Sequence, residues 1–312
     1  MNIQQLEYLI AVDEARHFAK AADACFVTQP TLSTMIQRLE EELDAKIFDR
    51  TRHPVEPTEI GKRIIAQARL SLKSLDSIKG IVEGEQTTVE GVFRLGVIPT
   101  IASYLVPKLL TKQHEKFSKL KLVIRETSTA VLLEQLANGS LDGGILAGPI
   151  HNENFAEIPV YYEKFYAYVS PYDALYQEKE IDLDKINIHD LWLLENEHCL
   201  RGQIERLCNL KKQNINKNSA SFESGSIDTL LHIVDINSGI TIIPEMHAMG
   251  LPEDKQDNLR QFKNITAVRE VCLLTSKDYA RKSMLNAVKE IVENSVPKSM
   301  RNTDLKKFVV EL

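Results

Sequence analysis

Several features are scarce or missing from this chain of 312 residues. There are four cysteines and no Cys-x-x-Cys pair, so the dithiol motif of a disulfide reductase is absent. No glycine-rich cofactor fingerprint is present either. Nothing approaches the roughly 18 uninterrupted apolar residues that span a membrane. The first residues, Met1-Asn2-Ile3-Gln4-Gln5, lack the basic and apolar regions of a secretory signal. A cytoplasmic protein with reduced thiols and no membrane partner is therefore expected, in which any disulfide is regulatory. Positive charge is not in excess: the net charge is −6 and the isoelectric point about 5.8. That balance weighs against a nucleic-acid binder, but charge placement decides more than the total. Hydrophobic content of 43% and charged content of 26% are ordinary for a globular protein, and the length suffices for two or three domains.

Two of the four cysteines share one segment, Glu197-His198-Cys199-Leu200-Arg201-Gly202-Gln203-Ile204-Glu205-Arg206-Leu207-Cys208. Cys199 sits between His198 and Arg201, and a cation beside a thiol raises its thiolate fraction. Thiolate is the form that peroxides attack, and a second cysteine nearby can then close a disulfide. On an α-helix their separation covers roughly 14 Å and two and a half turns, which places the sulfurs on opposite faces. A disulfide needs Cα atoms within about 7 Å, so a helical segment would have to unwind on oxidation. The alternative is that both are buried small hydrophobes without reactivity. The spacing does not suit paired metal ligands, and no metal or cofactor is expected. Cys25 and Cys272 have no partner in sequence and read as structural.

The first sixty residues pattern as helices. Leu6, Leu9, Ile10 and Val12 onward give an amphipathic first helix, and Phe18 to Ala24 a short one of small residues. Thr28 can cap a third, with Pro30 tolerated in its first turn. Leu32, Ile36 and Leu39 form its buried stripe, leaving Gln29, Pro30, Thr31, Ser33, Thr34, Gln37 and Arg38 as candidate DNA-contacting positions. Short hydrogen-bonding side chains on a second helix suit recognition in a major groove, although a plain hairpin with a solvated face has the same pattern. Ile47 to Pro54 reads as a wing that carries Arg50, Arg52 and His53 toward phosphates. Residues 1–62 hold seven Lys and Arg against eleven Asp and Glu, with acids at Glu40, Glu41, Glu42 and Asp44 placed beyond the reading face. Binding should then rest on a few placed contacts and on two copies acting together. From Glu59 to Glu85, Ile64, Ala68, Leu72, Leu75, Ile78 and Val82 recur at near coiled-coil spacing, which predicts a long dimerisation helix.

The block from Phe18 to Leu43, with Ala21-Ala22, Val27, Gln29-Pro30, Leu32-Ser33, Ile36 and Leu39-Glu40-Glu41-Glu42-Leu43, resembles the winged helix-turn-helix of LysR-type transcriptional regulators. Phe48-Asp49-Arg50 and Thr58-Glu59-Ile60-Gly61 fit the same pattern. The resemblance covers the whole chain and implies an α/β protein: an N-terminal winged helix-turn-helix (1–58), a linker helix (59–88) and a two-lobed, periplasmic-binding-protein-like effector domain (89–312). Lobe I would comprise about 91–162 and 268–300, and lobe II about 163–267. Val92–Ile98, Leu120–Glu126 and Asp142–Ala147 read as the first strands, and Ser238–Pro244 as a second-lobe strand. Within the family the likeness runs to its hydrogen-peroxide-sensing members. It is carried by Arg16-His17-Phe18, Ile98-Pro99-Thr100, Glu126-Thr127-Ser128-Thr129, and His198-Cys199-Leu200-Arg201 through Cys208.

That likeness implies roles. Cys199 is the peroxide-reactive thiolate and Cys208 its resolving partner; His198, Arg201 and Arg269 supply positive charge; Thr100 and Thr129, at helix starts, offer hydroxyls to peroxide. N-capping by both threonines, and surface ion pairs for Arg201 and Arg269, are the structural alternatives. It also implies a regulator, not an enzyme, that binds double-stranded operator DNA as a homodimer or homotetramer. Such a protein would engage RNA polymerase as an activator of oxidative-stress genes and be reset by glutaredoxin or thioredoxin. A regulator answering an organic effector between the lobes, and a thiol peroxidase, are the rival functions. Two departures stand out. Glu197 beside His198 would blunt Cys199, and Gly202 between the sulfurs lowers helix stability by roughly 1 kcal/mol relative to Ala. Thr34-Met35 departs from the family's usual basic or amide residue, and Lys298–Leu312 carries no legible motif.

Overall fold

The computed structural model describes residues 1–83, 89–195, 198–208 and 224–310; the side chains of 76, 77, 79–83 and 188 are outside that description. The chain forms two compact units, one built on Met1–Thr87 and the other on Thr88–Leu133, Asp142–Asp278 and Ser283–Leu312.

In the first unit, α1 (Ile3–Ala15), α2 (Phe18–Ala24) and α3 (Gln29–Glu42) precede a two-stranded wing, β1 (Phe48–Asp49) and β2 (Glu56–Pro57), and α4 (Glu59–Glu83). Local signals set these boundaries. Asn2 and Gln5 form a reciprocal capping box at α1, and Thr31 N–H donates to the Thr28 hydroxyl at the start of α3. The expected stripe of Leu32, Ile36 and Leu39 is fully buried with Leu9 and Val12. Of the acids placed beyond the reading face, Glu40 is buried and accepts from Ile47 N–H (2.7 Å) and Phe48 N–H (3.2 Å). It thereby satisfies two backbone donors at the start of the wing. Arg69 of α4 holds Asp13 and Glu14 of α1 at 2.9 Å each. Further along α4, Leu75 and Ile78 of the predicted dimer stripe are exposed, and Val82 lies outside the described side chains.

In the second unit, β3 (Gly91–Val97), α5 (Pro99–Lys116), β4 (Leu120–Glu126), α6 (Thr129–Ala137) and β5 (Gly143–Gly148) make two βαβ crossovers, with β3 parallel to both β4 and β5. Each strand lies within one residue of its predicted position. All six residues of β5 are buried, as a central parallel strand requires. A Cβ at Gly144 would meet Leu132 at 2.4 Å, so glycine is what lets α6 lie close on the sheet.

The chain then runs through β6 (Phe155–Val169), β7 (Glu180–Ile181), α7 (Cys199–Leu207), α8 (Ile227–Ile236), β8 (Ile240–Pro244), α9 (Glu245–Ala248), α10 (Glu253–Gln256), β9 (Leu259–Phe262), β10 (Val268–Ser276) and α11 (Lys282–Asn294). The strand order is β4-β3-β5-β10-β6-β9-β7, with β8 also on β6. β6 is long enough to pair with β10 at one end and with β8 and β9 at the other. It thus joins the two lobes. The run from Lys298, silent in sequence, returns to the sheet, where Val310 N–H donates to Val268 C=O at 2.8 Å.

Candidate functional site

The segment holding both cysteines is helical, as the conditional argument from its spacing required. Leu200, Gln203, Ile204 and Leu207 fall at helical intervals and are buried. Cys199 is the first residue of α7 and Cys208 its C-cap. With roughly 14 Å of helix between them, against the ~7 Å that a disulfide tolerates, the intact helix keeps the thiols apart. Both are free.

The two thiols differ in surroundings. Cys199 Sγ lies 3.0 Å from the Thr129 hydroxyl at the start of α6, a hydrogen bond from one lobe to the other. It also sits at the helix N-terminus, where the aligned peptide dipoles favour negative charge. Cys208 packs against the lobe II core, and burial pushes its thiol up to about 11. At neutral pH it rests protonated. Cys272 is fully buried; burial and then Glu270 push its thiol far above the ordinary range. Cys25 is also raised, by burial and then by Glu7.

The basic residues flanking Cys199 each have an acidic neighbour. His198 Nε2 lies 3.5 Å from Glu195, and Arg201 Nε donates to Glu205 at 2.8 Å while its Nη1 donates to Leu194 C=O at 2.9 Å. Glu197, expected to temper the thiol, lies outside the described residues. Gly202 has open space where a Cβ would go, so no neighbour demands a glycine there.

Arg269 departs from its surface ion-pair alternative. It is 1% exposed, donating to Glu163 at 2.6 Å and to the Thr100 hydroxyl and carbonyl at 3.2 and 3.1 Å. Glu163 is also fully buried and accepts from Met246 N–H at 3.1 Å. The pair links β10, β6, the first turn of α5 and the start of α9. The N-capping alternative also fails for both threonines: Ile98 and Ser128 occupy the residues ahead of the two helices, Thr100 faces Arg269 and Thr129 faces Cys199. Thr129 and Cys199 are thus brought together directly, whereas the hydrogen bonds of Arg269 reach Thr100 and Glu163. Sequence reasoning missed Glu163 and Glu195. Glu163 stands opposite Arg269 in the β6–β10 register, a signal visible only once the strands are aligned.

On the DNA-binding unit, Gln29, Pro30, Thr31, Thr34, Gln37 and Arg38 are exposed along α3. Gln37 is already engaged by Glu41 at 2.9 Å. Ser33 and Arg50 are tied together: Arg50, though exposed, donates to Ser33 at 3.1 Å and to Glu40 at 3.4 Å, and its guanidinium lies 4.9 Å from the Phe18 ring centre. Arg52 bonds Glu56 at 2.6 Å within the wing, and His53 is exposed. Phe26, which no motif singled out, is 96% exposed in the turn before α3, with φ at +55°.

Comparison with known proteins places this architecture. Residues 3–62 match the model of the bacterial regulatory helix-turn-helix protein of the lysR family, and residues 86–296 that of the LysR substrate binding domain. The hydrogen peroxide-inducible genes activator of Haemophilus influenzae is 36% identical over 250 residues, 80% of this chain and 82% of that protein. The DNA-binding transcriptional dual regulator OxyR of Escherichia coli is 35% identical, covering 83% of each chain. A full-length OxyR variant from Pseudomonas aeruginosa superposes with a TM-score of 0.80 at 27% identity, over 94% of this chain and 98% of that one. With both of its units matched in order, the chain belongs to the LysR family of DNA-binding transcriptional regulators.

Proposed function

We propose that this regulator senses hydrogen peroxide through a reversible Cys199–Cys208 disulfide and controls oxidative-stress genes from the cytoplasm. The observation that carries the reading is the placement of two free thiols at opposite ends of one short helix, with Cys199 against Thr129 and Cys208 in the core. Peroxide oxidises the Cys199 thiolate to a sulfenic acid, and Cys208, freed as α7 unwinds, displaces hydroxide to form the disulfide. A packed core cannot absorb a rebuilt helix without shifting its neighbours, so the effector domain repacks and the DNA-binding units re-space on the operator. Arg269 acts in this scheme through Thr100, whose hydroxyl and helix start it fixes. The working organisation is a DNA-binding domain of 1–58, a linker of 59–88 and a sensing domain of 89–312, assembled as a dimer or tetramer. RNA polymerase would be the partner at the promoter, and glutaredoxin or thioredoxin the reductant.

Thiol-trapping mass spectrometry after about one equivalent of peroxide tests this reading. Wild type should yield the Cys199–Cys208 disulfide, and Cys208→Ser a sulfenic acid at Cys199. A Cys199 that stays reduced refutes peroxide sensing and directs the search to an organic effector. In footprinting, Cys199→Ser should no longer change its DNA contacts when peroxide is added.

A further inference from the structure

The carboxy-terminal segment, to which neither the motifs nor the proposed sensing step assigns a role, is tied to the redox helix. Gln203 stands in the middle of α7, fully buried, and its Nε2 donates to Val310 C=O at 3.3 Å. The next link is backbone: Val310 N–H donates to Val268 C=O at 2.8 Å, and Val309 bridges to Val268 in parallel. Val310 and Cys208 both pack on the core cluster that contains Leu200, Ile204 and Leu207. The tail is therefore pinned on one side by the helix that must unwind, and on the other by β10 at the residue before Arg269.

The other end of the Gln203 amide is unusual. Its Oε1 is buried with no hydrogen-bond partner among the described residues. An unpaired buried acceptor is costly, so a polar side chain held there needs compensation, and its bond to Val310 supplies it. Unwinding α7 hydrates the acceptor and breaks that bond in one movement.

We propose that Gln203 is a positioning residue that couples α7 to the carboxy-terminal segment, so that closing the Cys199–Cys208 disulfide releases the tail at Val310. The inference rests on the proposed sensing reaction. In that reaction two protons and two electrons leave the Cys199 and Cys208 thiols, and hydrogen peroxide accepts them and departs as two waters. The bond from Gln203 to Val310 favours the dithiol state, and its loss shifts the couple toward the disulfide.

The test equilibrates the full-length protein, Gln203→Ala, a chain ending at Asn302 and the combination of both changes in graded glutathione buffers. The Cys199–Cys208 disulfide is quantified by thiol trapping. Losing one hydrogen bond of this kind should move the disulfide-to-dithiol ratio about fivefold toward the disulfide. If Gln203 acts through the tail, adding Gln203→Ala to the shortened chain should produce no further shift. Multiplying effects, or a ratio that neither change moves, would overturn the inference. Tryptic cleavage at Lys306 and Lys307 of the unmodified chain gives a second readout independent of any variant. Those exposed sites should be cut several-fold faster after oxidation, and equal rates in both redox states would also overturn it. A wild type that never forms the disulfide defeats the sensing reading itself, and this inference falls with it.

Discussion

α3 and α7 are both short amphipathic helices packed on a core, yet they are built to opposite ends. α3 begins with a side-chain cap from Thr28 and carries proline in its first turn. It closes with Glu40, which clamps Ile47 and Phe48 of the wing. α7 begins at His198 without a side-chain cap and holds Gly202 in open space. Both traits make helix less favourable against its alternatives. Under the proposed sensing reaction, α3 presents the same face to DNA whatever the redox state. α7, in that scheme, is helical enough to separate two thiols and weak enough to give way when one is oxidised.

Removing the clamp should break this comparison most forcefully. Glu40→Leu leaves two backbone N–H groups unsatisfied beneath the wing and deprives Arg50 of an acidic partner. A loss of roughly 3 kcal/mol is expected, read as a lowered thermal midpoint and as weakened operator binding in both redox states. Retention of wild-type stability would show that the wing is held by something other than this carboxylate.

Titration reaches α7 without disturbing α3. Burial raises the Cys208 thiol to about 11, so the folded state favours the neutral thiol. The stability this contributes is complete below the ordinary thiol range and is lost as pH rises through about 11. Reduced wild type should therefore lose stability between roughly pH 9 and 11 more steeply than Cys208→Ala, in thermal unfolding of the two chains side by side. The buried tyrosines that also titrate at high pH are common to both and cancel. Parallel curves would place Cys208 in contact with water.

Thr28→Ala should cost about 1 kcal/mol through the lost cap, and should weaken DNA binding equally before and after peroxide. Calorimetry and operator titration in both states check it. A redox-dependent effect would contradict the constancy assigned to α3.

What was legible in the sequence divides along the same line. The helix-turn-helix could be read because its determinants are local: a cap, a proline and an apolar stripe lie within a dozen residues. Even there the burial of Glu40 went unread, although position 40 continues the spacing of Leu32 and Ile36 and so falls on the buried face. For α7 only a conditional was legible: if the segment is helical, its two sulfurs are separated. Its surroundings were not, because they come from far along the chain. Thr129 is 70 residues from Cys199, Glu163 is 106 from Arg269, and Val310 is 107 from Gln203. Helical periodicity says nothing of such pairs; strand register and lobe packing create them.

The mildest change, Gly202→Ala, tests whether the weakness of α7 is functional. A Cβ there meets no atom within 4 Å, so the substitution adds helix propensity without a clash. It should stabilise the reduced helix by roughly 1 kcal/mol, and so favour the dithiol over the disulfide about fivefold. Disulfide closure should slow, while the initial oxidation of Cys199 by peroxide keeps its rate, because the thiol and its bond to Thr129 are untouched. Stopped-flow oxidation of a Cys208→Ser background isolates that first step, and thiol trapping in the Cys208-containing chain follows the second. If alanine leaves closure unchanged, unwinding of α7 is not what limits the switch. The glycine would then be an accident of a half-buried position, and the contrast with α3 would rest on the missing cap alone.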